Sequence, residues 1–489
     1  MEPLYQGGLK GRSIGLRLRA AFKYGGAVDD SMKRSGTQRR SVWERPAAVA
    51  RQWIRAEPTA PLLALALLAF LIDLGMTSRS GSIDLRNRVV GARLLLAGRD
   101  AYKYHWEEGD PERWADPSDV LPEGETRFTA APSVHAAYIP VAWMPYPYIR
   151  YLWLMVQWVS LVLLGWLMAR AAADSASRFA VWFSLVALFA LGDAWRLHVE
   201  RGQVYVIFAL LLACAYSAGR QETRKAGILC GAILGAAAVF RPTLGLGLLP
   251  MAAARRWRTV VAGVLAGCLV FAAMLPLVGP NDWRSYFAAM ERMARSTSGE
   301  VAAPTRVRPR FPPVIEGSRN VGRTVGRFAW SNSAVLHVWG VVCGGTAARR
   351  WSVRVALAVI LVAWPGALAA VWRKKPPTFD ALFLMAVTFA AVSEFFAAST
   401  RNSYNNLLWF VPVAIWIKQR KGWPAFRGFS GAWLVVSIAL ANAVLPGGIL
   451  DHHALEIGGR AGLVLAGDYM LAAFFVAAPL LVGTREEPR

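Results

Sequence analysis

Cysteine is scarce, with 4 in 489 residues. That is too few to staple a secreted disulfide scaffold, and no paired spacing suggests a zinc site. Charge is scarce too, at 18% of residues, and acids are the scarcer sign, with 31 Asp and Glu against 55 Lys and Arg. A disordered chain is excluded by 21 Trp and 22 Phe. A cleavable secretion signal needs an apolar stretch directly behind a short basic start, and here the first such run comes only at Pro61 to Leu74. What the chain does have is apolar residues, 55% of the total, gathered into runs. A surplus of +24 would suggest nucleic acid in a soluble protein. In a membrane protein it is what cytoplasmic loops supply, so membrane lipids are the expected partner and nucleic acid is not.

The runs set the organisation. Residues 1–60 carry Arg12, Arg17, Arg34, Arg39, Arg40 and further basic residues with few acids, and read as a basic cytoplasmic tail. Residues 61–489 read as a membrane-embedded domain of about 12 crossings, several of them shorter than a perpendicular span requires. The basic clusters at Arg170 and Arg178, Arg220 to Lys225, Arg255 to Arg258, Arg373 to Lys375 and Lys418 to Lys421 fall on the tail's side, which places both termini inside. Arg349, Arg350 and Arg354 run against that rule and leave the count near 331–352 open. The two long breaks, about 77–147 and 280–351, lie outside, so the chemistry is expected there. Within the first, Leu85, Val89, Ala92 and Leu96 recur at helical spacing and predict an amphipathic helix lying along the interface.

Charged residues at the outer ends of spans are the candidates for chemistry. Asp84 follows the first span, and a carboxylate at the boundary of water and membrane can act as a general base on a hydroxyl. At a helix start it can equally be an N-cap. Asp73, inside the first run, is the rival carboxylate. Arg241 interrupts an apolar run beside Pro242, where a guanidinium is costly unless it meets an anion or water, and the proline frees backbone groups to line a cavity. Arg196, Arg201 and Arg401 also lie near outer ends and together could form an anion site, or each could meet lipid headgroups. Glu394 is an intramembrane acid with Arg401 as a possible partner, and Glu200 beside Arg201 suggests a local ion pair. Six His residues, among them His105, His135, His337 and the pair His452 and His453, show no metal-binding spacing. No metal is predicted.

Asp84-Leu85 followed by Ala92, Leu95-Leu96, Gly98-Arg99-Asp100 and Tyr102 resembles the opening of glycosyltransferase family 87, the polyprenol-phosphate-mannose-dependent mannosyltransferases of the C-type membrane superfamily. Further stretches resemble that family in order: Phe128 with Pro132, Pro140 and Pro145; Gly202-Gln203; Arg241-Pro242; and Trp330-Ser331-Asn332-Ser333. Ser399 to Asn406 resembles the family's Ser-Pro-x-Ser-Trp-x-His-His stretch, with the Pro missing, Tyr404 for Trp and Asn406 for a His. The resemblance implies an all-α polytopic membrane protein with two long extracytoplasmic loops carrying interfacial helices. It implies inverting transfer of a sugar, mannose by family default, from a polyprenyl-phosphate donor to a glycan or glycolipid acceptor, without a further cofactor. Asp84 would take the hydroxyl proton, and Arg241, Arg401, Arg201 and Arg196 would meet the donor phosphate. Gln203, Tyr102, Asn332, Tyr404, Asn406 and Glu394 would contact sugar or acceptor. Composition fits a bacterial inner membrane, with the active site periplasmic. A transporter or flippase for lipid-linked saccharides is the alternative, although a carrier would show paired broken helices, and one clear break is visible, at Arg241-Pro242.

Overall fold

In a computed structural model of the chain, the described residues are 59–79, 81–116, 119, 121, 125–297, 301, 334–335, 338, 347–374, 376–397, 401–419, 429–441 and 459–482. The basic tail up to residue 58, Asn332, His337, His452 and His453 lie outside them. All the regular structure among the described residues is helical: α1 (Thr59–Arg79), α2 (Ile83–Leu96), α3 (Pro132–Ala136), α4 (Tyr146–Ala171), α5 (Ser175–Phe183), α6 (Asp193–Arg201), α7 (Tyr205–Gly219), α8 (Arg224–Phe240), α9 (Pro242–Gly245), α10 (Leu248–Ala253), α11 (Trp257–Met274), α12 (Pro280–Thr297), α13 (Ala347–Lys374), α14 (Phe379–Ala397), α15 (Phe410–Gln419), α16 (Phe429–Ala441) and α17 (Gly459–Val482). Among the described residues, five helices are long and apolar enough to cross a membrane, six if the bent pair formed by Ser175–Ala190 and Ala194–Arg201 is one span. The remaining apolar stretches are shorter helices.

Local sequence explains where the helices stop and start. Asp174 caps α5, its carboxylate accepting from Ser177 N–H at 2.9 Å, and Thr223 caps α8 in the same way through Ala226 N–H. Arg241 is extended, with φ −142° and ψ 93°, and Pro242 opens the next turn, so the Arg-Pro step breaks the run as expected. The hydrophobic core gathers around α14 and α15, where Phe383, Phe389, Phe395, Trp409 and Phe410 are buried. α11 and α13 instead show Leu269 and Val362 to the outside, the faces that would meet lipid. Between α8 and α11, glycines 231, 235, 263 and 267 let the backbones meet: a Cβ on Gly231 would strike Thr259 O, and one on Gly235 would strike Gly263 O. This is the close crossing that a four-residue spacing of small residues permits.

The loop that follows α1 departs from expectation. α2 does not present a wet polar face; apart from Asp84 and its last two residues it is buried. Its polar side chains are absorbed by backbone carbonyls of the loop that follows. Arg93 donates to Ala142 O, Arg113 O and Met144 O at 2.7–2.8 Å, Arg86 to Ala115 O and Asn87 to Arg127 O. Burial pulls the Arg93 pKa down to about 10, still far above neutrality. Sequence periodicity sees only alternation of polar and apolar residues. It cannot tell whether the polar side meets water or unpaired carbonyls, which satisfy guanidinium groups equally well.

Under this loop Tyr102, Phe128, His135 and Tyr286 form an aromatic cluster. His135 packs on Gly91, whose missing Cβ makes the room, with Nδ1 facing Arg88 O at 3.5 Å. Burial pushes the His135 pKa down to about 3. Below about pH 6.5 an unfolded histidine takes up a proton that the folded one refuses, so the folded state is fully favoured above that pH and loses stability as pH falls towards 3. The slope this one group contributes is about 1.4 kcal/mol per pH unit. Thermal or denaturant melts of the protein in nanodiscs across that window should show it, and His135→Phe should flatten it; an unaltered slope in the variant would place the effect elsewhere.

Candidate functional site

Asp84 sits in the first turn of α2, where the helix dipole favours a negative charge. It is not the N-cap; Ser82 is, with φ 45° and ψ 59° and no side-chain cap bond. The Asp84 carboxylate faces the end of α6. Arg201 Nε donates to Oδ2 at 2.5 Å and Nη2 to Oδ1 at 2.7 Å, a fork on a carboxylate. Gln203 Nε2 donates to Oδ2 as well, and Arg88, one turn along α2 from Asp84, donates to Gln203 Oε1 at 2.6 Å and to Gly202 O at 2.9 Å. The Gln203 carbonyl is itself held by Gln157 Nε2 at 3.0 Å and Trp153 Nε1 at 3.3 Å. Gly202 makes this possible. It ends α6 in the left-handed region at φ 68°, and a Cβ there would stand 2.5 Å from Leu85 Cβ, so the turn and the approach of α2 both require glycine.

A second charged node lies at the α8 break. Arg241 Nε donates to Glu394 Oε1 at 2.7 Å, which also accepts from Thr243 Oγ1 at 2.9 Å, and Oε2 accepts from Asn405 Nδ2 at 3.1 Å. Among the described residues, Arg241 Nη2 is buried without a hydrogen-bond partner. The guanidinium carbon lies 5.2 Å from the Tyr205 ring centre, and Tyr205 meets Tyr404 with centroids 5.3 Å apart. Tyr404, whose hydroxyl accepts from Asn402 Nδ2, stands within electrostatic reach of Asp84 and Arg201. The two tyrosines thus connect the nodes.

In each pair one partner is the more exposed, and it is of opposite sign in the two. In the first, Asp84 is 22% exposed and Arg201 7%; in the second, Arg241 is 24% exposed and Glu394 1%. The arrangement offers solvent one carboxylate and one guanidinium, each held from behind by a buried counterion.

The other expected site residues stand apart from these two pairs. Arg401 is buried against Asp468, at 2.7 Å, and Asn406, at 2.9 Å, with Phe395 under its guanidinium. Asn406 spends its amide on Ala441 O. Glu394 therefore has Arg241 rather than Arg401 as its ion-pair partner. Arg401 and Asn406 fasten the 403–409 turn to α16 and α17. Tyr102 is buried in the aromatic cluster, its hydroxyl donating to Ala130 O at 2.6 Å; burial raises its pKa, so it stays a donor. Arg196 is half-buried within reach of Asp73, and Asp73 accepts from the indoles of Trp195 and Trp158 at 2.7 and 2.9 Å, a carboxylate sealed inside the bundle. Arg201, placed by sequence beside Glu200, has its guanidinium on Asp84. Among the described residues no His, Cys, Asp and Glu group could hold a metal ion.

Sequence reading missed Arg88, Thr243, Tyr205 and Asn405. Arg88 had a signal, since residues four apart share a helix face. Asn405 had none, because both adjacent asparagines are buried and which of them meets Glu394 depends on the winding of the 403–409 turn.

The family model described as Glycosyltransferase family 87 matches residues 128–393, more than half the chain. The matched stretch contains Arg201, Gln203 and Arg241; Asp84 precedes it and joins the site through Arg201. No curated protein matches the chain.

Replacing Gly202 tests whether the turn governs the site. Gly202→Ala costs about 1–2 kcal/mol for the left-handed backbone alone, plus displacement of α2 at Leu85. Thermal melting in nanodiscs should fall accordingly, and an unchanged melting point would show that the turn relaxes freely.

Proposed function

The chain belongs to glycosyltransferase family 87 and is a membrane glycosyltransferase; from that membership and the geometry at Asp84 and Arg241 we propose that it moves a sugar from a polyprenyl-phosphate donor to an acceptor hydroxyl with inversion. The donor sugar is mannose by family default. The acceptor is a glycan or glycolipid, and the reaction takes place on the periplasmic face of a bacterial inner membrane. Family membership favours this over a carrier of lipid-linked saccharides.

The observation that supports the reading is the pair of half-open ion pairs. Inverting transfer needs a base for the incoming hydroxyl and a cation for the departing phosphate, on opposite sides of the sugar's anomeric carbon. Asp84 offers the base: its open edge takes the proton as the acceptor oxygen attacks. Arg241 offers the cation: its side chain is 24% exposed, and its guanidinium can meet a phosphate oxygen as charge develops on the leaving group. Glu394 holds Arg241 by Nε and leaves the rest of the fork to the phosphate. Tyr205 and Tyr404, both buried, pack between the nodes and help to hold their spacing. A long isoprenoid stays in hydrocarbon while its head reaches this site at the boundary.

The test is transfer from radiolabelled polyprenyl-phosphate mannose to an alkyl mannoside by the full-length protein in nanodiscs. Asp84→Asn should lower kcat by about a hundredfold to ten-thousandfold with donor binding nearly intact. Arg241→Ala should weaken donor binding or slow departure of the phosphate by about a hundredfold. Full turnover in Asp84→Asn removes that residue from the mechanism, and unchanged kinetics in Arg241→Ala removes the cation.

A further inference from the structure

Arg88 has no part in the two roles above, yet it touches the machinery. It is buried, and among the described residues no carboxylate pairs with it. Its guanidinium is spent instead on two neutral oxygens, Gly202 O at 2.9 Å and Gln203 Oε1 at 2.6 Å. A buried cation on neutral acceptors is costly, so what it holds is informative. An amide has an accepting and a donating end. With a permanent cation on Oε1 and the Asp84 anion on the far side, only one orientation of Gln203 satisfies both, and it turns Nε2 onto Asp84 Oδ2.

The oxygens of Asp84 are then unequal. A carboxylate has about four lone-pair positions, two per oxygen. Oδ2 receives Arg201 Nε and Gln203 Nε2, which fills it. Oδ1 receives Arg201 Nη2 alone, which leaves one position on Oδ1 for an incoming donor.

We propose that Arg88 is a positioning residue which, by orienting Gln203, saturates Asp84 Oδ2 and leaves Oδ1 as the atom that takes the acceptor's proton. The proposal rests on the reading of Asp84 as base. In the step, the acceptor O–H bond breaks and its proton goes to Oδ1. The acceptor oxygen bonds to the anomeric carbon, and the bond from that carbon to the phosphate oxygen breaks, with its electron pair leaving on the phosphate. A base with two equivalent oxygens would allow the hydroxyl two docking poses; one open position confines it to a single approach.

A double-mutant cycle tests this, using the full-length protein in nanodiscs with the same labelled donor and alkyl mannoside. Arg88→Met and Gln203→Met should each lower kcat by about tenfold to a hundredfold with the donor KM unchanged. The double variant should be no worse than the poorer single. Arg88→Lys, which keeps the charge, should recover part of the loss and serves as the cycle partner if Arg88→Met does not fold. Losses that multiply, or a loss confined to donor KM, would make Arg88 a mere prop for the Gly202 turn and overturn the proposal while leaving Asp84 as base. Full turnover in Asp84→Asn would instead remove the base, and this inference with it.

Discussion

The fork of Arg201 on Asp84 joins residues 117 positions apart, and the segment from α2 to α4 is arranged around it. For the two to meet, α6 must end abruptly, α2 must come within touching distance of that end, and the loop over α2 must be closed. Gly202 provides the first two conditions, through its left-handed backbone and its lack of a side chain. The arginines of α2 provide the third, by taking up the carbonyls of the loop. A bidentate pair also does what a single hydrogen bond cannot: it fixes the plane of the carboxylate as well as its place.

Much of this was legible in the sequence, though not the connections. Among the described residues the long apolar runs are helical, and Arg241-Pro242 broke the chain where the proline demanded it. Asp84 and Arg241 stood out because charge at the edge of an apolar run has to be accounted for. The pairing could not be read. Glu394 is flanked by apolar residues and lies seven residues from Arg401, which made that arginine the natural partner, yet Arg241, 153 residues away, takes it. Nearness in sequence is weak evidence when helices pack side by side. Arg401 finds Asp468 on α17 instead. The helical period of α2 was read correctly and its environment was not, because a pattern of polar residues records only that they need partners.

Two uses of arginine follow from this comparison. Arg86 and Arg93 donate to main-chain oxygens and act as braces for a loop whose short helical turns leave those oxygens open. Arg201 and Arg241 are matched to carboxylates, and in each match one partner stays open. Burying one member of a pair fixes the other without covering it. The energetic cost of the buried charge is offset by the neighbour, while the exposed atom stays available to a ligand. The side chain presented is thus the reverse in each case, an anion at one node and a cation at the other.

The seam between α8 and α11 carries a consequence at a distance. Arg241 is the residue directly after α8, so its height and heading are inherited from how that helix rests on its neighbour. Where peptide groups of two rods touch with nothing in between, no lubricating layer of side chains remains to let them slide, and the rod behaves as a fixed strut. A single methyl group added at position 231 or 235 would wedge that joint apart. Neither position ever meets a substrate, and natural selection would nonetheless be expected to guard them as closely as the residues that do.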